Sequence, residues 1–407
     1  MKNGPLTLII ASLTLASLLP SCHSRSSNRG SSGEGLKSPL WSVRMAESEM
    51  IRNPSLWMVD FVKEKKWNYT HGLMGLAFLR LHEATGDSRY FEYAKCYADS
   101  LIDENGAILT YRKENHNIDH VNPGKMMFLL HDLTKDPKYE KVIHTLREQL
   151  ESQPRTPEGG FWHKKIYPDQ MWLDGLYMGA PFYAEYALRY DRPEDFQDVV
   201  NQFLIAAANT RDPESGLYRH AFDASRKMAW ADPATGQAPH AWGRAMGWFS
   251  MAIVDVLDFL PEGQPGRDEL ITILRTMVDR LAEIQDPETG GWYQVLDRPG
   301  DPGNYIETSC TAMFAYSVFK GVRKGYLDSE RLDIAIKAYE GLLENFIEVD
   351  SEGLVTLTNV CGVAGLGGDP YRDGSYEYYI GEVIRDNDPK GVGPFIMASL
   401  EYESLPL

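Results

Sequence analysis

The sequence predicts an all-α fold, an (α/α)6 barrel in which six amphipathic helices surround six more apolar ones. Beyond residue 40 the apolar residues recur with a helical period, and segments of strand character are few and short. Amphipathic helices with charged faces alternate along the chain with apolar helices that usually contain glycine. A short phrase, an acidic turn followed by glycine and an apolar residue, recurs along the chain, which indicates a repeated supersecondary unit.

The first 44 residues are predicted to precede this domain. Residues 1–21 read as a secretory signal, with Lys2, an apolar run too short to span a membrane comfortably, and then small residues. The run ends Leu-Pro-Ser-Cys, which resembles a bacterial lipoprotein cleavage site with Cys22 as the lipidated residue, and residues 22–44 form a Ser/Gly-rich tether. We therefore expect a lipid anchor, as the only membrane contact, on the periplasmic side of a bacterial cell envelope, with surface exposure left open. A plain secretory signal with an incidental cysteine is the alternative.

The helices alternate in order through a single domain predicted at 45–407. The amphipathic helices are predicted at 47–65, 90–102, 138–151, 194–209, 268–285 and 329–346. The apolar helices are predicted at 71–83, 119–133, 169–190, 241–260, 305–322 and 391–402. The recurring phrase follows every amphipathic helix except the first. The simplest packing places the apolar set inside a ring of the amphipathic set. A superhelical solenoid is the competing arrangement, although no capping repeats are evident.

In such a barrel the inner helices open on one mouth, where their N-termini favour an anionic ligand. Polar residues cluster near those N-termini: Tyr69, His71, Asp119, His120, Asp174, His240, Trp242, Arg244, Glu307 and Thr308. The net charge of -17 argues against a nucleic-acid partner, and an acidic substrate would depend on local cations. The chain shows no phosphate-binding loop, nucleophile elbow or metal-ligand cluster, so we predict no cofactor and no metal.

Asp174 is the predicted chemical centre. It is the single carboxylate in a helix start that is apolar on nearly every face, Met171 to Met178. Burial favours a carboxyl group that has partners or keeps its proton, and a protonated carboxyl group near neutral pH is what a general acid needs. A capped or hydrogen-bonded structural aspartate is the alternative interpretation. His163 and Lys164 just upstream, and Gly175 and Gly179 beside the acid, favour the catalytic one.

Three further segments contribute candidates. Asp119 either serves the site or caps its helix. His220 alone is more typical of a structural histidine. Trp242 and Arg244 begin an inner helix, where they either bind a sugar ring and a carboxylate or form a stack that braces the ring of helices. Pro181 lies deep in its helix, where we expect a kink or a break, and a long loop, 358–390, could cover the mouth.

From about residue 45 to its end the chain resembles glycoside hydrolase family 105, the unsaturated rhamnogalacturonyl hydrolases, relatives of the family 88 unsaturated glucuronyl hydrolases. The segments that carry the resemblance are MWLDGLYMG, NIDHVNPGK and PHAWGRAMGW. It implies an (α/α)6 barrel with Asp174 as general acid/base. It also implies a pocket for an unsaturated uronic acid, lined by Asp119, His163, His220, Trp242, Arg244 and Trp248, with Lys164 as a further member.

The resemblance also implies a reaction. Protonation of C4 in the unsaturated ring gives a cation at C5, water adds there, and the hemiketal opens as the neighbouring sugar leaves from C1. We expect Arg244 and the histidines to bind the substrate carboxylate, and Trp242 and Trp248 to stack on the sugar. The preferred substrate is unsaturated galacturonyl-rhamnose from rhamnogalacturonan I, generated by a polysaccharide lyase.

Three alternatives stay open at this point. One is an unsaturated glucuronyl hydrolase acting on glycosaminoglycan, ulvan or arabinogalactan fragments. Another is an inverting hydrolase that uses Asp119 and Asp174 as a pair on saturated substrates. The third is a lipoprotein that only binds glycans, which would present an exposed aromatic platform. No protein partner is inferred.

Overall fold

A computed structural model describes residue 1 and residues 35–405, and within them the predicted alternation of outer and inner helices is present. The outer helices are α1 (Trp41–Arg52), α3 (Ser88–Asp99), α5 (Pro137–Glu151), α7 (Pro193–Thr210), α9 (Arg267–Glu283) and α11 (Leu332–Asn345). The inner helices are α2 (Tyr69–Thr85), α4 (Gly124–Thr134), α6 (Leu173–Arg189), α8 (Gly243–Leu257), α10 (Thr308–Arg323) and α13 (Pro389–Glu403). A short helix, α12 (Tyr376–Gly381), precedes the last inner helix.

The inner helices close into a ring. Each packs on the next in the order α2, α4, α6, α8, α10 and α13, and α13 returns to pack on α2. Every residue of α8 is buried, whereas the outer helix α9 buries only its apolar stripe. The (α/α)6 barrel is therefore confirmed, and the solenoid arrangement is wrong because the last inner helix contacts the first.

The folded domain begins earlier than predicted. Helix α1 starts at Trp41, inside the predicted tether, and is fixed to α13 by Ser42, whose backbone N–H and hydroxyl donate to Glu403 at 3.0 and 2.6 Å. This helix ends at Arg52 and not at residue 65, because the following Asn53 precedes a proline and is pushed out of the helical region. The predicted signal (1–21), the lipidated Cys22 and most of the tether lie outside the described residues. Within residue 1 and 35–405, none of the helices combines the length and apolar character needed to cross a bilayer.

Within residues 35–405, three short antiparallel strand pairs add to the helices. Strand β1 (Gln170–Trp172) pairs with β2 (Ala221–Asp223), with Trp172 opposite Ala221. Strands β3 (Ile347–Val349) and β4 (Val355–Leu357) form a hairpin, and β5 (Val360–Cys361) pairs with β6 (Ile384–Arg385). The first pair is important for function because it ties the start of α6 to the segment that carries His220.

The recurring phrase forms the tight turns that lead from outer helices toward inner ones. The first glycine of each copy has a positive φ, from 71° at Gly290 to 100° at Gly159, a region that favours glycine. An aspartate accepts the turn's backbone N–H groups: the Asp350 carboxylate accepts from Glu352 and Leu354, both at 2.9 Å. The repeat therefore marks the end of the barrel at which the inner helices begin.

Of the kink or break expected at Pro181, the break is wrong, since α6 continues through it to Arg189. A proline has no N–H to donate to the carbonyl four residues earlier, which is that of Tyr177. The buried Lys125 ammonium donates to this carbonyl instead, at 3.2 Å, and lies 3.3 Å from the Tyr177 ring centroid. Burial lowers the pKa of Lys125 to about 7. The unused carbonyl is satisfied by a neighbouring helix, so the chain has no need to break.

Candidate active site

Asp174 lies in the first turn of α6, directly after β1. Its side chain is 14% exposed, and its Oδ2 lies 3.2 Å from Nε2 of His220. The contact is close but bent, and neither atom has a hydrogen-bond partner among the described residues. Strand pairing fixes the approach, because the Leu173 N–H donates to the His220 carbonyl at 3.1 Å. The structure therefore brings Asp174 and His220, both candidates from the sequence, into contact.

His220 is fully buried between aromatic rings. Its Nδ1 lies 2.7 Å from the hydroxyl of Tyr379, and its ring centroid is 4.8 Å from that of Trp242 and 5.2 Å from that of Trp172. Both ring nitrogens thus face defined groups, Asp174 on one side and Tyr379 on the other. A histidine held in this way is suited to orient a carboxyl group and to exchange a proton with it.

Asp119 lies in a 3-10 helix, Ile118–Val121, which precedes α4, so the inner helix predicted at 119–133 begins irregularly. Asn117, not Asp119, occupies the N-cap, and its side-chain oxygen accepts the Asp119 N–H at 3.1 Å. The Asp119 carboxylate instead receives Lys164 Nζ at 2.6 Å and faces His163 Nε2 at 3.3 Å. Burial acts to raise the pKa of Asp119, but Lys164 and His163 outweigh it and hold that pKa below its usual value.

His163 contacts Asp119 on one side and packs against Gly175, the residue that follows Asp174, on the other. Its ring stacks on Trp172, with centroids 4.6 Å apart and planes 3° apart. A Cβ added at Gly175 would lie 3.0 Å from His163 Nδ1, so the glycine beside the acid makes room for this ring. Burial lowers the pKa of His163 to about 4, despite the opposing effect of Asp119, so the imidazole is neutral near pH 7.

This buried neutral histidine predicts a pH-dependent stability. The unfolded state takes up a proton near pH 6.5 and the folded state only near pH 4, so stability is full above pH 6.5 and falls as the pH drops toward 4. We expect a loss on the order of 3 kcal/mol from His163 alone. Urea unfolding at pH 7, 5.5 and 4.5 should show that the free energy of unfolding falls less in the His163→Gln variant than in the wild type. If the free energy of unfolding of that variant fell with pH as steeply as that of the wild type, the assignment would be contradicted. A His71→Gln variant provides the comparison, because burial also lowers the pKa of His71 to about 4.

Trp242 and Arg244 lie at the start of α8, but their polar groups are bound to other residues of the protein and do not point free into the pocket. The Trp242 indole N–H donates to the side-chain oxygen of Gln294 at 3.1 Å. Arg244 is 1% exposed and lies 5.4 Å over the Trp242 ring. Its guanidinium donates to Ser309 Oγ at 2.8 Å, to Glu307 Oε1 and the Gly362 carbonyl, both at 3.3 Å, and to the Cys361 carbonyl. This geometry corresponds to the alternative interpretation, a stack that braces the ring of helices.

Other predicted residues lie apart from this group. Trp248 is buried inside the barrel and stacks on Tyr177, with centroids 4.6 Å apart. His71 is buried on Tyr97, and its Nε2 lies 3.1 Å from the Trp57 carbonyl oxygen. The structure therefore brings together Asp119, His163, Lys164, Asp174, His220 and Trp242, with Arg244 stacked on Trp242.

The structure adds aromatic residues that were not predicted for the site. Trp172 separates His163 from His220, and Tyr167 also stacks on it, with centroids 5.2 Å apart. Tyr379 comes from the long loop 358–390. That loop packs on the mouth as predicted: Leu366 packs in the apolar cluster of Trp172, and Arg372 donates to the Tyr167 hydroxyl at 2.9 Å. Several tyrosines lie close together in this loop, so nothing in the sequence singled out Tyr379.

In the part of the chain that the structure describes, no three His, Cys, Asp or Glu side chains are grouped so as to hold a metal ion. The chemistry of the site is carried by a carboxyl group in contact with an imidazole, beside a carboxylate that is neutralised by an ammonium. The N-cap residues of α6 and α8, Trp172 and Trp242, provide no side-chain cap, so the two helix N-termini add positive potential to the same mouth. Such an arrangement can protonate a bound anionic molecule.

Comparison with known proteins gives a consistent result. The model of Glycosyl Hydrolase Family 88 matches residues 41–405. A glycoside hydrolase from family 105 of C. acetobutylicum ATCC 824 is 44% identical and has a TM-score of 0.86, covering 90% of this chain and 99% of that one. The unsaturated rhamnogalacturonyl hydrolase YesR of Bacillus subtilis (strain 168) is 27% identical over 262 residues, which are 63% of this chain and 71% of the relative. The unsaturated glucuronyl hydrolase of Bacillus sp. GL1 has a TM-score of 0.66 at 17% identity, covering 91% and 97% of the two chains, a likeness of fold alone.

Proposed function

Because the chain belongs to Glycosyl Hydrolase Family 88, a family of unsaturated glycuronyl hydrolases, we propose that it removes the 4,5-unsaturated uronic acid from lyase-generated oligosaccharides. The preferred substrate is unsaturated galacturonyl-rhamnose from rhamnogalacturonan I. The observation that carries the proposal is the contact of Asp174 with His220 at the uncapped start of α6. The name of the Bacillus subtilis relative supports the choice of rhamnogalacturonan fragments.

In the proposed reaction Asp174 donates its proton to C4 of the unsaturated ring. The double-bond electrons form the new C4–H bond, and the ring oxygen stabilises the cation left at C5. Water adds to C5 and returns a proton to the Asp174 carboxylate. The hemiketal then opens by cleavage of the bond between C5 and the ring oxygen, and the neighbouring sugar leaves from C1 as an aldehyde forms. One well-placed acid is sufficient for this sequence of steps.

Asp119 has a different role in this proposal. Its two oxygens already face Lys164 and His163, and its lowered pKa keeps it ionised. A carboxylate fixed in this way orients sugar hydroxyls or the attacking water. It is poorly placed as the free base that an inverting hydrolase requires, so the two-carboxylate alternative receives less support.

The substrate carboxylate needs local cations in a chain of net charge -17. Arg244, the candidate from sequence, has its donors directed to protein acceptors. We assign the carboxylate to the positive ends of α6 and α8 together with Lys164, whose side chain is 24% exposed. Arg244 then acts by holding Trp242 at the wall of the pocket.

The proposal is tested by incubating the enzyme with a panel of lyase-generated disaccharides and following the ultraviolet absorbance of the double bond. We expect absorbance loss and free rhamnose with the rhamnogalacturonan disaccharide, and no release from its saturated counterpart. Faster turnover of glucuronyl disaccharides from glycosaminoglycan, ulvan or arabinogalactan would correct the substrate. Inactivity on the whole panel would overturn the function.

Lipidation of Cys22 and location on the periplasmic side of the envelope stay part of the proposal. They rest on the sequence of the N-terminal segment, with its apolar run and its Ser/Gly-rich tether. A lipid anchor there would hold the enzyme where lyase products enter the cell envelope.

A further inference from the structure

The Tyr379 side chain has no assigned role, although it completes the wall behind His220. It lies on α12 and is fully buried, and its hydroxyl oxygen is 2.7 Å from His220 Nδ1. Within the described part of the chain, this is the one hydrogen bond found for that hydroxyl. The two groups are separated by 159 residues in the chain, so the contact exists only in the folded protein.

The position of this tyrosine is set by the site itself. Ser375 caps α12 by accepting the Tyr378 N–H at 3.1 Å. The Tyr379 carbonyl accepts from the side-chain amide of Gln294 at 3.3 Å, and the same amide's oxygen accepts from Trp242. The phenol ring lies nearly parallel to the Trp242 indole, with planes 25° apart. Tyr379 is therefore held in register with two residues of the pocket.

We propose that Tyr379 is a positioning residue that donates its hydroxyl proton to His220 Nδ1 and so fixes the imidazole proton on Nε2, facing Asp174 Oδ2. The inference rests on the proposed function of Asp174. The alternative tautomer would leave two groups unsatisfied. The phenol proton would be buried without an acceptor, and the bare Nε2 would face a carboxylate oxygen. Burial raises the pKa of Tyr379 well above its ordinary range, so the phenol keeps its proton.

The tautomer matters for catalysis. With the proton on Nε2, His220 holds Oδ2 of Asp174 and leaves Oδ1 to exchange a proton with the substrate. With a bare Nε2, the imidazole would accept a hydrogen bond from the protonated acid and hold its proton away from C4. The Nε2–Oδ2 contact of 3.2 Å is bent, as catalytic hydrogen bonds often are before the substrate binds.

Few other ionisable groups act on this pair. The Asp174 carboxylate acts to raise the pKa of His163, and His220 acts to lower it. The pKa of Tyr379 is raised further by the electrostatic effects of Tyr378, Asp174, Asp297 and Cys361. His240 presents its ring edge-on to Tyr379 at 6.5 Å and pairs with Asp297 at 2.9 Å. The hydrogen bond between the Tyr379 hydroxyl and His220 Nδ1, at 2.7 Å, is the shortest of these interactions, so the tests below remove it.

The first test reads the tautomer directly and needs no activity. The full chain is labelled with nitrogen-15 in its ten histidines, and a His220→Gln variant identifies the resonances of interest. At neutral pH we expect an unprotonated Nδ1 and a protonated Nε2 in the wild type, and loss of this fixed pattern in Tyr379→Phe. A proton on Nδ1 in the wild type, or the same pattern in the variant, would overturn the proposal whether or not an unsaturated disaccharide is turned over.

The second test uses kinetics with a matched control. Tyr379→Phe should lower kcat roughly tenfold with little change in KM, and should move the alkaline limb of the pH profile to higher pH, because the acid keeps its proton longer beside a bare Nε2. Tyr378→Phe, on the same helix, loses a hydroxyl that accepts the Gly365 N–H at 3.0 Å and also interacts with Glu382, and it should keep the wild-type pH profile. Equal profiles for Tyr379→Phe and the wild type would refute the positioning role and leave the function of Asp174 standing.

Discussion

Replacement of Asp174 by Asn is expected to abolish turnover of the unsaturated disaccharide while the protein stays folded. The amide is nearly isosteric with the carboxyl group, but its N–H protons are too weakly acidic to be transferred to C4. We expect kcat to fall by roughly three orders of magnitude, within the range typical for loss of a general acid. The rate of absorbance loss measures the effect, and thermal unfolding confirms that the variant is folded.

Asp297→Asn is the matched control for this substitution. Asp297 is also a carboxylate near a histidine, with Oδ2 at 2.9 Å from His240 Nδ1, and its side chain is 11% exposed. Its oxygens brace the start of α8 by accepting the Ala241 N–H and the Arg219 guanidinium, both at 2.9 Å. We expect at most a several-fold loss of rate there. Activity retained in Asp174→Asn would remove Asp174 from its role.

Replacement of Arg244 by Ala is expected to destabilise the protein strongly. The substitution leaves the Glu307 carboxylate, which is fully buried, without its cation, and it leaves the Gly362 and Cys361 carbonyls without a donor. Breaking a buried ion pair in this way lowers the free energy of unfolding by about 3–5 kcal/mol. Chemical unfolding measures the change. Replacing Glu307 by Gln in the Arg244→Ala background should restore part of the loss.

An exposed ion pair provides the comparison. Arg323 and Glu401 form two contacts of 2.5 and 2.6 Å, but the arginine side chain is 42% exposed. Arg323→Ala should therefore change the free energy of unfolding by less than about 1 kcal/mol. A stable Arg244→Ala variant with a raised KM would contradict the bracing role and would restore the role expected from sequence, a ligand for the substrate carboxylate.

The fold could be predicted because the helical period and the repeated turn are local signals. Both can be read within single segments, and a closed ring is the simplest packing of the alternating helices. The contact of α13 with α2 decided between the ring and a solenoid. The boundaries were less accurate where local chemistry intervened, as at Asn53, which precedes a proline, and at the 3-10 helix that carries Asp119. The break expected at Pro181 failed because its compensation, Lys125, comes from another helix.

The site could be predicted in part for a similar reason. Asp174 stood out as a lone carboxylate in an apolar stretch, which is a local property. The partners of Arg244 lie 63 to 118 residues away in the chain, and two of them are backbone carbonyls, so the sequence could not distinguish a brace from a ligand. Tyr379 was missed because its contact with His220 depends on how the loop 358–390 folds over the mouth.

The central claim is that a proton is delivered to C4 of the unsaturated ring before the neighbouring sugar is released. Proton NMR of the reaction in heavy water tests it most directly. We expect the vinyl signal of C4 to vanish in step with release of the neighbouring sugar, and the keto acid to carry one deuterium at C4. Release of the neighbouring sugar together with a uronic acid that keeps its vinyl signal and carries no deuterium at C4 would contradict the account.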